Sequence, residues 1–413
     1  MSHTPGQPEG TERESEGQQA GGQAQQYATA LQWLFTRSRG GLPRDLRRMR
    51  RLIEELDLQV PPRSVRVVGS NGKGSITNLL YAIGLAAGLR TGRFISPHVE
   101  DFRERIAANG AQISASQVVR FVGELQGREL PDGPAFFELT LALALRHFRA
   151  AGVQLGIFEA GVGARDDATA ALGTPELVVV TPISLDHVAT LGPTLAHVAA
   201  DKSHAIQPGT TVVSARQVDA VMQVLGERAG EVGARLLVEG NDPLFALPAG
   251  IETADEVSRQ NFRVATAAAR MLGIEDPAVI RRGLTVPPLP ARAEKFAIRG
   301  RTVILDGCHD PAGAQALLRR VRGNYTLLFS ALGKKQVVET LDVLAARADT
   351  LFLTSIAGQG ASLREYPGAR FVQSAPDALL AALDRTPAGG QIVVAGSFYL
   401  AGELRPLLRD LQG

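Results

Sequence analysis

Four runs dominated by Val, Ile and Leu, at residues 65–68, 155–158, 177–180 and 211–213, show little alternation of apolar and polar positions. Strands with one wet face alternate, whereas near-continuous apolar runs belong to strands covered on both sides, as in parallel sheets. Between the runs, residues 75–87, 115–125 and 137–150 repeat apolar positions at helical spacing. Buried strands separated by helices predict parallel βαβ units. The segment 286–290, VPPLP, fits neither a helix interior nor a central strand. Beyond it the pattern restarts, with strands expected at 303–305, 327–329, 351–354 and 392–395 and helices at 312–321 and 339–346. The expectation is an α/β chain of two domains, 25–285 and 291–413, joined by the proline linker 286–290. Residues 1–24 hold too few apolar side chains to offset ordering entropy and are expected to be a disordered tail. Order is expected from near Tyr27, in a helix through Trp33 and Phe35. A second helix, 45–56, carries four arginines.

Composition removes several function classes. Lys+Arg 44 against Asp+Glu 42, with 5% aromatic residues, offers neither a basic footprint nor stacking platforms for nucleic acid. No apolar run reaches the roughly 18 residues of a membrane span, and no secretory h-region follows the N-terminus. A soluble cytoplasmic protein with no nucleic-acid or membrane partner is therefore expected. The lone cysteine, Cys308, allows no internal disulfide and no cysteine metal cluster and reads as a small packing residue. Only five cationic residues are lysine, namely Lys73, Lys202, Lys295, Lys334 and Lys335. A position that stays lysine in an arginine-rich chain draws attention, because lysine can lose its proton and arginine cannot.

Lys73 lies in a strand–loop–helix stretch, VRVVGSNGKGS, at 65–75. Glycines there let backbone N–H groups approach phosphate oxygens, and the helix N-terminus adds partial positive charge. Lys73 is followed by Gly74 and then Ser75, so the stretch departs from the full G-x-x-x-x-G-K-[ST] pattern. Its bland alternative is a glycine turn. Glu159 ends an apolar strand, where α/β sheets present ligand groups, and suits Mg²⁺; a solvated carboxylate is the alternative. Gly161 and Gly163, then Arg165, Asp166 and Asp167, suggest a loop against a polar ligand. His187 follows the next strand beside Asp186, and Lys202 comes fifteen residues later. His197 and His204 read as surface or packing residues.

Seven segments in order resemble the folylpolyglutamate synthase/dihydrofolate synthase family of the Mur ligase superfamily. They are GSNGKGS (69–75), SPHVEDFRERI (96–106), EAGVGARDDAT (159–169), LDHVATLG (185–192), DKSHAIQPG (201–209), DGCHDP (306–311) and AGSFYLAGELR (395–405). The resemblance implies an N-terminal ATP-binding domain of the P-loop type and a smaller C-terminal Rossmann-like domain. It implies ATP-dependent joining of L-glutamate to dihydropteroate or to the γ-carboxylate of a folate, by a monomer that needs Mg²⁺ at two sites. Asn71, Gly72, Lys73, Gly74 and Ser75 then cradle the triphosphate, and Asn261, Arg292 and Asp306 contact the nucleotide. Ser96, Glu159, His187 and a carbamylated Lys202 hold metal; Asp166, Asp167 and Ala168 form the pterin loop; His309 and Ser397 lie on the glutamate side. Lys73, Lys202 and His309 are the expected catalytic residues. The chain departs from the family pattern at Ser70, Ala135, Ala170, Cys308 and Asp310, which stand where Thr, Thr, Asn, Ala and Asn are usual. The rival readings are another Mur-type amino-acid ligase and a catalytically impaired ATP-binding homologue.

Overall fold

The valine-rich runs form the middle of a sheet covered on both faces. A computed structural model describes residues 10–37, 45–130, 133–253, 255–332, 336–356 and 363–412. The first sheet contains β1 (Arg63–Val68), β2 (Thr91–Phe94), β3 (Ile106–Ala108), β4 (Ala111–Gln112), β5 (Leu155–Glu159), β6 (Leu177–Val180), β7 (Thr211–Ser214) and β8 (Arg235–Val238). Their order is β4-β3-β2-β5-β1-β6-β7-β8. The six strands from β2 to β8 in that order run parallel, while β3 and β4 pair antiparallel at the edge. Successive residues of one strand feed opposite cores. Leu177 and Val179 pack with the helices Lys73–Ala86, Glu256–Met271 and Pro277–Leu284, whereas Val178 and Val180 pack with Leu195–Ser203 and Asp219–Val232.

The second sheet holds β9 (Glu294–Ile298), β10 (Arg301–Leu305), β11 (Tyr325–Phe329), β12 (Ala348–Thr354), β13 (Ala369–Val372) and β14 (Gln391–Ala395), in the order β13-β12-β11-β14-β10-β9. Only β9 runs antiparallel. Hydrophobic clusters cover both of its faces. The chain is thus an α/β protein with two sheets, and residues 286–290 lie between the last helix over the first sheet and β9. That proline segment is not loose: Asn78 Nδ2, on the helix after the phosphate loop, donates to Pro287 O at 3.4 Å. Among the described residues no helix is long and apolar enough to cross a membrane.

The structure adds six strands to the sequence expectation, β2, β3, β4, β8, β9 and β13, and orders part of the expected tail. The expected tail 1–24 meets a helix, Gly10–Thr36; residues 1–9 lie outside the described residues. Glu, Gln and Ala favour helix, and the helix is anchored farther on by fully buried Leu34 and by Tyr27 Oη donating to Asp101 at 2.8 Å. β2 escaped notice because it reads Thr-Gly-Arg-Phe, with Arg93 buried against Tyr81 at 5.3 Å. β9 follows the proline segment directly and alternates buried with exposed positions as an edge strand does. Lys334 and Lys335 lie outside the described residues.

Gly283 sets how closely two helices meet over the first sheet. A Cβ there would stand 2.6 Å from the backbone nitrogen of Ile83. Gly283→Ala is expected to cost about 1–3 kcal/mol by overpacking, read as a lower thermal midpoint, although alanine is the better helix former.

Candidate active site

β1 lies between β5 and β6, so the loop after it opens beside both neighbours' ends. Gly69 turns the chain with φ +140°, and a side chain there would strike Thr181. Ser70 and Asn71 N–H donate to Pro182 O at 2.9 and 3.3 Å, which fastens the loop to the segment after β6. Gly72 caps the helix Lys73–Ala86 at φ 89° with no side-chain bond, so the first-turn N–H groups face the cleft. Lys73 Nζ curls back to donate to Gly69 O at 3.1 Å and Ser70 O at 3.0 Å.

Glu159, 3% exposed, accepts the Ser96 N–H at 3.0 Å, so the ends of β5 and β2 meet at this carboxylate. Burial pushes its carboxyl up, against the charges of Lys73, Arg292 and Arg105. Gly74 leaves the space in front open: a Cβ there would meet Glu159 Oε2 at 3.3 Å and Arg292 Nη2 at 3.5 Å. A buried carboxylate beside a cradle that a side chain would fill offers the oxygen ligands a divalent cation takes. His187 sits at the cleft in the left-handed region, φ 48°, a strained conformation for a non-glycine residue. Its Nε2 is 3.5 Å from Asp186 Oδ1, and burial lowers its pKa, helped by Lys73, Lys202 and His309.

Lys202 is 2% exposed, so it is not a surface lysine. Its Nζ donates to Gly69 O at 2.7 Å, the carbonyl that Lys73 also uses. Burial, then the Lys73 charge, lowers its pKa to about 7. Lys202 stands behind the phosphate loop and does not line the cavity.

The second sheet supplies the opposite wall. Asp306 follows β10 and accepts from Ala293 and Cys308 N–H at 2.7 and 2.8 Å. Ser397 follows β14, and His309 packs against Phe398 with ring centres 6.2 Å apart. Arg292 is half-buried, with its guanidinium 4.2 Å over the Phe398 ring. Asp310 caps the helix Pro311–Leu318 and accepts from Asn71 Nδ2 at 3.3 Å, a bond between the two halves. Ligand atoms of Asp186, His309 and Asp310 lie within 4.8 Å of one another, a second grouping with metal-ligand chemistry.

These walls enclose about 1030 Å³. Asn71, Gly72, Lys73, Gly74, Ser75, Ser96, Glu159, Asp167, Ala168, His187, Asn261, Arg292, Asp306, His309 and Ser397 all line it. Asp166 does not. Its neighbour Asp167 already accepts from Gly161, Val162 and Thr169 N–H at 2.9–3.2 Å, so its carboxylate shapes the loop. Cys308 is buried and its thiol is pushed well up by burial, in keeping with packing. Sequence reasoning passed over Arg105, which lies inside the quoted SPHVEDFRERI stretch. It donates to Ser96 Oγ at 3.1 Å and to His98 Nδ1 at 2.7 Å, and burial holds its pKa at about 10. Sequence reasoning also missed an aromatic wall: Phe35 and Phe136 stack at 5.3 Å and His98 stands 6.4 Å from Phe35. These residues lie far apart in the chain, so no local signal groups them.

No protein-family model matches the chain. It is 30% identical to probable bifunctional folylpolyglutamate synthase/dihydropteroate synthases of Halobacterium salinarum and Haloferax volcanii, and spans 36% and 50% of their lengths. The Mycobacterium tuberculosis dihydrofolate synthase/folylpolyglutamate synthase is 31% identical over 343 residues, 70% of each chain. The solved Mycobacterium tuberculosis folylpolyglutamate synthase complexed with ADP superposes with a TM-score of 0.82 at 26% identity, covering 94% of this chain and 99% of that one. A bifunctional folylpolyglutamate synthase/dihydrofolate synthase from Yersinia pestis, complexed with AMPPNP and Mn ion, gives 0.78 at 26% identity over 93% and 98%. Likeness along nearly the whole chain in fold, and along 70% of a relative in sequence, carries the seven-segment resemblance through: the chain belongs to the folylpolyglutamate synthase/dihydrofolate synthase family.

Proposed function

We propose that this chain is an ATP-dependent ligase that forms an amide between L-glutamate and dihydropteroate, or the γ-carboxylate of a reduced folate, with release of ADP and phosphate. The observation that carries the reading is Glu159: a buried carboxylate at the phosphate loop, faced by Arg292 from the second sheet. The relatives' names and a solved folylpolyglutamate synthase with AMPPCP and folate, TM-score 0.80, support the same substrates. The acting units are residues 25–285, for ATP and the pterin, and 291–413, for glutamate. The protein is read as a cytoplasmic monomer.

A carboxylate is a poor electrophile, and phosphorylation remedies that. The N–H groups at Gly72–Gly74 and the Lys73 ammonium hold the triphosphate, while Asn261, Arg292 and Asp306 grip the nucleotide from the sides. Ser96, Glu159 and His187 would hold Mg²⁺, which neutralises charge on the phosphoryl oxygens when bound. The substrate carboxylate oxygen attacks the γ-phosphorus, and ADP leaves. The aromatic wall of Phe35, Phe136 and His98 suits the flat pterin ring. Glutamate, held near His309 and Ser397, presents its amine to the acyl carbon, and phosphate leaves with the bridging oxygen. The second domain excludes water, which would otherwise destroy the acyl phosphate. Fixing both reactants contributes about 7–11 kcal/mol to lowering the barrier. Lys202 meets the condition for carbamylation, since burial favours the neutral amine that adds CO₂. The resulting anion would lie behind the phosphate loop and could serve the second Mg²⁺.

The test supplies ATP and glutamate with dihydropteroate or tetrahydrofolate in separate reactions. ADP release is expected only when both the acid and glutamate are present. Glu159→Gln should lower kcat by about 10²–10³-fold with its circular dichroism unchanged. ADP release that ignores the acid, or full turnover by Glu159→Gln, contradicts the reading.

Lys202 gives a second test. Lys202→Arg should be nearly inactive, and acetate should partly restore Lys202→Ala by replacing the anion. With a pKa of about 7, the neutral amine disappears as pH falls below that value. Protein stripped of CO₂ should therefore recover on adding bicarbonate, with a rate constant per dissolved CO₂ that rises with pH and levels off above 7. Normal activity in Lys202→Arg removes the carbamate from the account.

A further inference from the structure

Ser96 belongs to a loop that is stiff from residue 95 to residue 105. Ile95 N–H donates to Arg105 O at 2.9 Å and closes its neck. Inside, the Glu104 carboxylate gathers the N–H groups of Val99, Glu100 and Asp101 at 2.8, 3.0 and 3.0 Å. Arg105 then ties Ser96 Oγ to His98 Nδ1. With its interior hydrogen bonds satisfied, the loop moves as one piece, so a shift at Glu100 is felt at Ser96.

The tip of this loop is where the second domain lands. The helix Phe398–Gln412 lays its backbone on the loop at Gly402, where any side chain would strike Val99 O. One turn farther on, Arg405 pairs with one oxygen of Glu100, and Arg409 pairs with the other. Arg405 also forks onto Glu294 of β9 at 2.7–3.0 Å, and Glu294 accepts the Ala291 N–H at 3.0 Å, next to Arg292. The Glu100, Arg405 and Glu294 side chains are 19%, 18% and 21% exposed, so water only partly screens the network. The cross-domain bonds of Asn71 to Asp310 and of Arg320 to Asp255 touch other segments.

We propose that Glu100 is a positioning residue: by pairing with Arg405 and Arg409 it couples docking of the second domain to the placement of Ser96. The inference rests on the ligase reading of Ser96 given above. With the domains apart, Glu100 is hydrated and the loop is held from one side only. With them together, the helix that begins beside Ser397 and the loop that carries Ser96 share one set of ion pairs. Glutamate and metal residues are then set relative to each other by the same contact.

Two variants test this. Glu100→Gln keeps the shape and removes the charge; Glu100→Asp keeps the charge and shortens the reach. In Glu100→Gln, kcat/KM for glutamate should fall about tenfold, with Glu100→Asp in between, while the affinity for ADP without Mg²⁺ and the thermal midpoint stay as in the wild type. Added salt should slow the wild type more than Glu100→Gln, because the screened pair is already gone there. A Glu100→Gln protein with wild-type kcat/KM and wild-type salt response overturns the proposal. So does one that loses nucleotide binding and melts early, since Glu100 would then be structural. Wild-type protein without glutamate-dependent ADP release instead overturns the ligase reading.

Discussion

β1 lies between β5 and β6 and all three run parallel, so three chain segments leave the sheet at one edge, about a strand spacing apart. That constraint puts the phosphate loop, Glu159 and the segment leading to His187 in one crevice, although more than a hundred residues separate the first from the last. β2, on the far side of β5, adds Ser96. The second sheet repeats the device: β14 lies between β10 and β11, so Asp306 and Ser397 leave from adjacent ends. The cleft is where these two edges meet, at the topological switch point of each sheet.

The crevice is lined by charge of both signs, Lys73, Arg105, Arg292 and Arg320 with Glu159, Asp167, Asp186 and Asp306. Lys73, Arg105 and Arg292 line it with Lys202 behind the phosphate loop, and among the described residues none of these four lies within ion-pair distance of a carboxylate. Lys202, Arg105 and Arg292 are driven toward their neutral forms by burial. Buried charge without a close partner is costly, so these cations favour an anionic ligand and Glu159 favours a cation beside it. On the proposed reading a triphosphate supplies the anion, and a carbamate on Lys202 would supply more negative charge from within.

Much of this was legible in the chain. Val, Ile and Leu runs marked β1, β5, β6 and β7 because a strand covered on both sides has no polar face to disguise it. Gly69 and Gly72 marked the loop because few other residues fit positive φ beside a close neighbour, and Lys73 because it follows them at the helix start. What stayed hidden depends on distance. β2 is held by Phe148 against Gly92 and by Arg93 against Tyr81, contacts that no local pattern announces. Arg105 looked like one arginine among 39, and only its burial singles it out. The aromatic wall joins residues near 35, 98 and 136. Helical order in residues 10–24 was missed because composition speaks to burial and says less about intrinsic helix preference.

The central claim is that the two-sided cleft activates a carboxylate by phosphoryl transfer and then passes the acyl group to an amine. The most direct measurement follows an oxygen atom. Dihydropteroate or tetrahydrofolate labelled with ¹⁸O in the reacting carboxylate is turned over with ATP and glutamate, and the released phosphate is analysed by mass. If the carboxylate attacks the γ-phosphorus, one labelled oxygen per turnover appears in phosphate. Phosphate that carries no label while amide forms would mean that water took the γ-phosphoryl group, and the account would fail at its first step.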